Sequence, residues 1–444
     1  MNSACRTYYL TSMYSILSIA VPVGAGAFFG LLALLINYHI LANSHAQYLY
    51  WLALYAPFNY YLIALYEGLK ASSIFYSSQM QAHQSIRMML SLLVVMCGII
   101  LVSSIIFYCI FFRYKFFHQE KYFSLFCLSM IISALFVSWF YIATSFYYGL
   151  QRKNLSMLLN FVAGVLSCLL TGLFVKKCQW GIFSYAVSNI FSYGLIGCLS
   201  FWYFFKQHVV QSGDFFIGVA ELWHALKLLY AVGFPVWASY FIIFVSLSFT
   251  NTILNTFGHT VLSAYGLAYR IQSMVLFPAI ALGSALAISV NQYRVKQKFI
   301  FAFTLLKVGL LSSLFLYLGA ALLCFLYPYF LMHSVTNNLN IVAAGVEYFK
   351  SCALSYAALG PMIAYGVFLE QIGLGLINFC VQSGYFLILT GFGWYTTQIL
   401  HNYHYFYYAI AADNFFCFFV MGILFFILNK DLLHQSKKQI VMVH

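Results

Sequence analysis

Charge is what this 444-residue chain has least of: Asp, Glu, Lys and Arg together make up 7% of it, against roughly 25% in an ordinary soluble domain. Hydrophobic residues reach 64%, so no aqueous globular fold is open to it. Acids are scarcer still, eight in all. Any CxxC pair is also missing. The 11 cysteines stand singly, as at Cys97, Cys109, Cys127 and Cys168, which argues against a disulfide framework and against a metal site. The sequence shows no phosphate-cradling glycine loop, nucleophile triad or metal-ligand cluster, so neither catalysis nor a cofactor is expected. Lys plus Arg outnumber Asp plus Glu by 21 to 8, a balance that in a soluble chain suggests nucleic acid. Here the basic residues sit in short gaps between apolar runs, so the excess belongs to membrane topology and no nucleic-acid partner is expected.

What fills the chain is a series of apolar segments near residues 12–40, 47–77, 88–112, 122–149, 154–175, 180–205, 227–257, 260–291, 299–327, 338–368, 372–395 and 403–428. A bilayer core takes about 20 apolar residues per helix, whereas membrane strands alternate in polarity. Continuous runs such as Leu90 to Phe112 therefore predict an all-α polytopic membrane protein with twelve transmembrane helices. With the N-terminus inside, the cytoplasmic segments carry 12 basic residues and the opposite loops five. That bias predicts cytoplasmic termini in a plasma (bacterial inner) membrane. The first apolar segment has no basic stretch followed by a small-residue cleavage site, so it reads as a first helix rather than a cleaved signal. Aromatic residues, 20% of the chain, gather at span ends such as Tyr403, Tyr405, Tyr407 and Tyr408, where interfacial belts are expected.

The two halves share one register. Pro22 and Pro235, Gln79 and Gln292, and Gln84 and Gln297 are each 213 positions apart, an offset that spans an even number of helices. The halves then run in the same direction, and parallel repeats of this kind enclose a central cavity in transporter folds. The expected organisation is a six-helix lobe over residues 1–205, a cytoplasmic linker at 206–226, a second six-helix lobe at 227–430 and a tail at 431–444.

The ordered set of Pro22, the stretch GLQRKNLSMLLNFVAGVLSCLLTGLF from Gly149 to Phe174 with the following WGIFSYAVSN, and the helices running from GFPVWASYF to ALAISVNQ resembles the multidrug and toxic compound extrusion (MATE) transporters. The resemblance covers nearly the whole chain. It implies two lobes forming a V, a cavity open alternately to each side, and export of a small organic compound against inward flow of H+ or Na+. Departures from the family matter as much. Many relatives carry an Asp fifteen residues after the proline matching Pro22, and here that position is Asn37. The family's Asn and Asp of the fifth helix fall on Ser167 and Thr171, and the acid of the tenth helix falls in the uncharged CALSYAALGPM. Asn37, Ser167 and Thr171 can bind substrate or a cation through neutral oxygens, or satisfy one another as interhelical glue; both readings stand.

Ion coupling needs a group whose charge or ligation changes, and an acid inside the bilayer is expensive enough to be a functional candidate by default. Glu120 and Asp214 fall in loops, Glu221 in the linker, Asp431 in the tail and Glu370 at a span end, where anchoring is expected. Glu67 has Lys70 on the same helix face, so it is either a self-neutralised pair or a cavity carboxylate tuned by the lysine. Glu347 has Lys350 at the same spacing near the outer end of the tenth span and reads as a structural pair. Asp413, near the middle of the last span, has no cation nearby in sequence. Tyr38, Asn160, Asn189 and Asn251 are further polar residues at plausible cavity depth, while His401 and His404 give an interfacial HxxH. Pro22, Pro235, Pro278 and Pro361 are the kink or hinge candidates.

The reading is a monomeric secondary exporter with a small organic substrate, H+ or Na+ as coupling ion and membrane lipids as surroundings. Two rivals keep the architecture. One is a flippase for lipid-linked saccharides, which would want a strongly cationic cavity, whereas Lys70 is the one clearly deep cation of the first lobe, with Arg270 and Lys307 as counterparts in the second. The other is a non-transporting membrane sensor or scaffold, which the missing family acids would fit.

Overall fold

In the computed structural model, residues 3–44, 46–79, 85–113, 121–150, 152–207, 217–334, 339–428 and 430 are described, and every regular element among them is helical. The elements are α1 (Ser3–Ser44), α2 (Ala46–Gln79), α3 (Ser85–Arg113), α4 (Lys121–Gly149), α5 (Lys153–Lys176), α6 (Phe183–Gln207), α7 (Val219–Leu228) and α8 (Phe234–Asn255). They continue as α9 (His259–Val295), α10 (Phe299–Leu326), α11 (Pro328–His333), α12 (Leu339–Cys352), α13 (Tyr356–Leu369), α14 (Gly375–Tyr395) and α15 (Tyr403–Leu428). Helices prevail because lipid offers the backbone no hydrogen-bond partner, and only a helix satisfies its own groups within one segment.

Nine helical stretches among the described residues are long and apolar enough to cross a membrane, with mean hydropathies from 1.7 to 2.7. Helices α2 and α6, less apolar than these nine, are 34 and 25 residues long and have the length of a span. One of the nine, the 57-residue stretch Leu339–Tyr395, is two spans. It breaks at Gly373, whose φ of 90° lies in the left-handed region that only glycine enters at little cost. Twelve spans result, as the hydropathy pattern predicts. Glu120, Asp214, Asp431 and the tail at 431–444 lie outside the described residues.

The later part of the polar stretch between the sixth and seventh spans is ordered as α7, which packs on α3 and lays the Lys227 ammonium over the Trp223 ring at 5.5 Å. A π-helical turn, Leu229–Gly233, joins α7 to α8. Pro235 accounts for it: proline has no N–H to give the carbonyl one turn back and its ring pushes that carbonyl away, so the turn widens.

The chain divides into two compact units, residues 25–237 and residues 1–24 with 238–444. The first is built around α4, which packs against α2, α3, α5 and α6. Its core includes Leu69, Leu92, Phe126, Ile142 and Phe146, all 0% exposed. Buried serines such as Ser72, Ser77, Ser192 and Ser200 keep the helices close while returning their hydroxyls to carbonyls one turn back, which satisfies the hydroxyl without a partner helix.

The second unit is built around α9, flanked by α10, α12 and α13. At Pro278 the α9 ladder is opened by a side chain from α10. The Ala279 amide donates to the Tyr317 hydroxyl at 2.8 Å, and that hydroxyl donates on to the Val275 carbonyl at 3.1 Å. In a regular helix Ala279 and Val275 would bond each other directly; here one hydroxyl stands between them and satisfies both. Gly360 of α13 lies flat on the Tyr317 ring, where a Cβ would collide with it.

Candidate functional site

In the unit of residues 25–237, four sequence-predicted residues meet. Asn37 on α1 donates through Nδ2 to Ser167 Oγ on α5 at 2.9 Å, and Ser167 donates to Asn189 Oδ1 on α6 at 3.0 Å. One turn along α5, Thr171 shares a 2.6 Å hydrogen bond with Ser188 of α6. All are buried, with Asn37 2% exposed and Ser167 and Thr171 at 0%. The helices fold this way because each presents its small polar residues on one face, where every donor finds an acceptor across a close contact. Asn37 Oδ1 alone is left buried without a hydrogen-bond partner in this network, among the described residues.

The other predicted residues of this unit lie apart from that network. Asn160 turns back on its own helix, donating to the Ser156 carbonyl at 2.8 Å. Tyr38 sets its ring edge-on to Tyr185 at 5.9 Å. Glu67 and Lys70 form the ion pair their spacing predicts, at 3.1 Å, both half-buried. Their charges cancel within one turn of α2.

In the second unit Asp413 is 3% exposed. Its nearest polar contact is the Cys417 thiol, 3.9 Å from Oδ1, and Oδ2 has no hydrogen-bond partner among the described residues. Nearly all buried polar atoms are paired, and an unpaired buried carboxylate is the most expensive exception. Asn414, the next residue, lines a cavity of about 180 Å³ that also receives Ser246, Thr250, Gln272, Gln382 and Tyr385. Tyr385 is within electrostatic range of Asp413. Asn414 Nδ2 donates to Ser355 at 2.8 Å and leaves its own carbonyl oxygen unpartnered. Across the cavity, Gln272 accepts from the hydroxyls of both Tyr348 and Tyr356.

This volume holds about six waters at ~30 Å³ each and falls short of the roughly 300 Å³ at which drug-sized ligands begin. In the conformation seen, it suits ions and water rather than an organic cargo. Sequence reasoning found Asp413 but missed Gln272, Tyr385 and Asn414. A polar residue at mid-span was the available signal, and only folding shows which of many such residues share a cavity.

One expected feature differs. Glu347 does not pair with Lys350: it accepts from Tyr403 at 2.7 Å and faces His404 at 3.7 Å, because α15 brings both against α12 while Lys350 is exposed. Glu370, at the end of its span, is 4% exposed and accepts from Asn378 Nδ2 at 2.7 Å across the Gly373 break. Asn251 is exposed on α8. His401 and His404 join no metal-ligating cluster among the described residues.

Residues 235–392 match the MatE family model. Over 123 residues the chain is 28% identical to the probable multidrug resistance protein YpnP of Bacillus subtilis (strain 168). That stretch is 28% of this chain and spans only 27% of the relative's length. Among solved structures, the Vibrio cholerae MATE transporter VcmN in its bent form superposes with a TM-score of 0.82 at 14% identity, covering 97% of this chain and 99% of its own. A multidrug resistance MATE family transporter in an outward-facing conformation gives 0.81 at 14% identity, covering 95% and 96%. A MOP superfamily transporter from Pyrococcus furiosus gives 0.80 at 14% identity over 95% and 96%. The twelve-span helical architecture is thus the one those structures share, and residues 235–392 are similar in sequence to the MatE family.

Proposed function

We propose that the chain is a secondary active exporter. A small organic compound leaves the cell across the plasma membrane by alternating access of two six-helix lobes, 1–205 and 227–430, joined by the linker at 206–226. Protons or sodium ions flowing inward drive it. The observation that carries this reading is Asp413: a buried carboxylate with one oxygen unpartnered among the described residues, next in sequence to Asn414, which lines a largely apolar cavity of about 180 Å³ with a few polar side chains.

Coupling follows from differential binding, since an ion shifts a two-state protein only through unequal affinity for the two states. In the closed state the Asp413 carboxyl is stable only when neutralised. Opening to the inner side hydrates it and releases the ion. Each cycle then exchanges an inward ion for an outward cargo. The Asn37, Ser167, Thr171 and Asn189 network carries no charge, so the 25–237 unit contributes hydrogen bonds to cargo, the Asn37 carbonyl accepting from a donor group. The Glu67 and Lys70 pair counts against a pyrophosphate-lipid flippase, because the deep lysine that would hold a phosphate is already neutralised.

The deciding experiment reconstitutes the purified protein in vesicles and imposes pH and sodium gradients separately while scanning organic compounds. Uptake of a compound driven by one gradient, and lost in Asp413→Asn, supports the reading. Uptake driven by neither gradient removes the antiporter and leaves the sensor or facilitator.

A further inference from the structure

A second cavity in the unit containing α9 to α15 has the opposite character. It is a groove of about 520 Å³ between α10, α13 and α15, within the range of ligand sites. Tyr365 and Phe303 flank Phe425 at ring separations of 5.8 and 6.3 Å, Leu311 and Pro361 make the walls, and Gly422 leaves the gap on α15. One charged side chain lines it: Lys307, which is exposed and forms no ion pair among the described residues.

The depth of that lysine decides what it can meet. Helix α10 has 28 residues, about 42 Å at 1.5 Å per residue, against a hydrocarbon core of about 30 Å. Lys307 stands roughly 12 Å in from the Phe299 end. Centred in the bilayer, its Cα lies a few ångströms inside the hydrocarbon and its ammonium reaches the level of lipid phosphates by snorkelling. Arg294, Lys296 and Lys298 sit at the same end of α10, so the field there favours a net negative headgroup. The apolar groove continues from the ammonium toward the membrane centre, the direction an acyl chain takes.

We propose that this groove binds one anionic phospholipid of the bilayer, its phosphate on Lys307 and an acyl chain along Pro361 and Phe425. A zwitterionic lipid brings its own ammonium into the same field and is disfavoured. The consequence reaches the polar cavity, because Met362 lines both the groove and the 180 Å³ cavity beside Asn414. The lipid chain then packs on a side chain shared by membrane groove and cavity, next to Pro361.

The test needs no transport substrate, so it stands or falls apart from the export reading. Full-length protein in detergent is offered equimolar phosphatidylglycerol and phosphatidylcholine with identical chains, and retained lipid is read by native mass spectrometry. Wild type is expected to retain one phosphatidylglycerol per chain with at least about fivefold preference. Lys307→Gln should lose the preference, Lys307→Arg keep it, and Gly422→Phe retain neither lipid at this stoichiometry. In parallel, a phosphatidylglycerol with a mid-chain diazirine should label wild-type peptides covering 303–314 and 418–426. Equal retention of both lipids by wild type, preference surviving in Lys307→Gln, or labelling confined to other helices overturns the proposal. The wild-type labelling decides it even if a variant fails to fold.

Discussion

At position 413 a carboxylate is 3% exposed, and its nearest polar neighbour is a thiol at 3.9 Å. Asparagine matches it in size and carries no charge, so Asp413→Asn should express within about twofold of wild type. Gradient-driven transport and its pH dependence should both vanish, as measured by uptake into vesicles across a pH series. Retained pH dependence would move the coupling group elsewhere. Glu67 and Lys70 call for a different experiment, because each is the other's partner at 3.1 Å. Removing one charge strands the other in a half-buried setting. Glu67→Gln should cost about 1 to 3 kcal/mol, between the exposed and buried limits for ion pairs, and Lys70→Met in the same chain should restore most of it in a thermal unfolding assay. A stable double variant that no longer transports would instead place the pair against the cargo. Asn37 sits in a buried polar network with Ser167 and Asn189. Asn37→Asp should add a second titrating step to the pH profile of transport.

Among the helices, the most informative arrangement is the Tyr317 hydroxyl set into α9 at Pro278. Without it the Ala279 amide and the Val275 carbonyl lose their shared partner in a dry interior, at about 1 to 3 kcal/mol for each group left unmet. Tyr317→Phe should therefore lower the unfolding temperature markedly. In a Pro278→Ala background the helix is free to straighten and close its own hydrogen bond, so the same change should cost less. A double-mutant cycle measures this coupling; additive effects would show that the hydroxyl does not hold the kink. Gly360 supports the same joint from α13, since a Cβ there would collide with the Tyr317 ring. The kink, the inserted hydroxyl and the glycine thus act as one device.

For the molecule in its membrane, the uneven distribution of basic residues predicts orientation. A reporter active only in the cytoplasm, fused after His444, should be active, and one inserted between residues 334 and 339 should be silent. The opposite pattern would invert the topology and with it the side from which Asp413 takes its ion. The polar stretch between the sixth and seventh spans is less independent of the helices than its composition suggests. Its later half is α7, packed on α3 and continuous through the π-turn with α8.

The spans, their number and the Glu67 to Lys70 pair were legible in the sequence, because each depends on contacts within a few residues or on the length of an apolar run. A membrane helix closes its hydrogen bonds locally, which makes span positions almost a linear reading. The sites were not legible in this way. Asn37 meets Ser167 130 positions away, Glu347 chooses Tyr403 56 positions away over Lys350 three away, and Tyr317 enters α9 from the next helix. Those choices are decided by helix rotation and approach, quantities that small side-chain volumes set jointly across the bundle and that no single stretch contains. Sequence by itself determined that this protein spans the membrane and where its few acids sit along each span; only the packed bundle decided which partners the acids of the described residues find, and that one oxygen of Asp413 finds none among them.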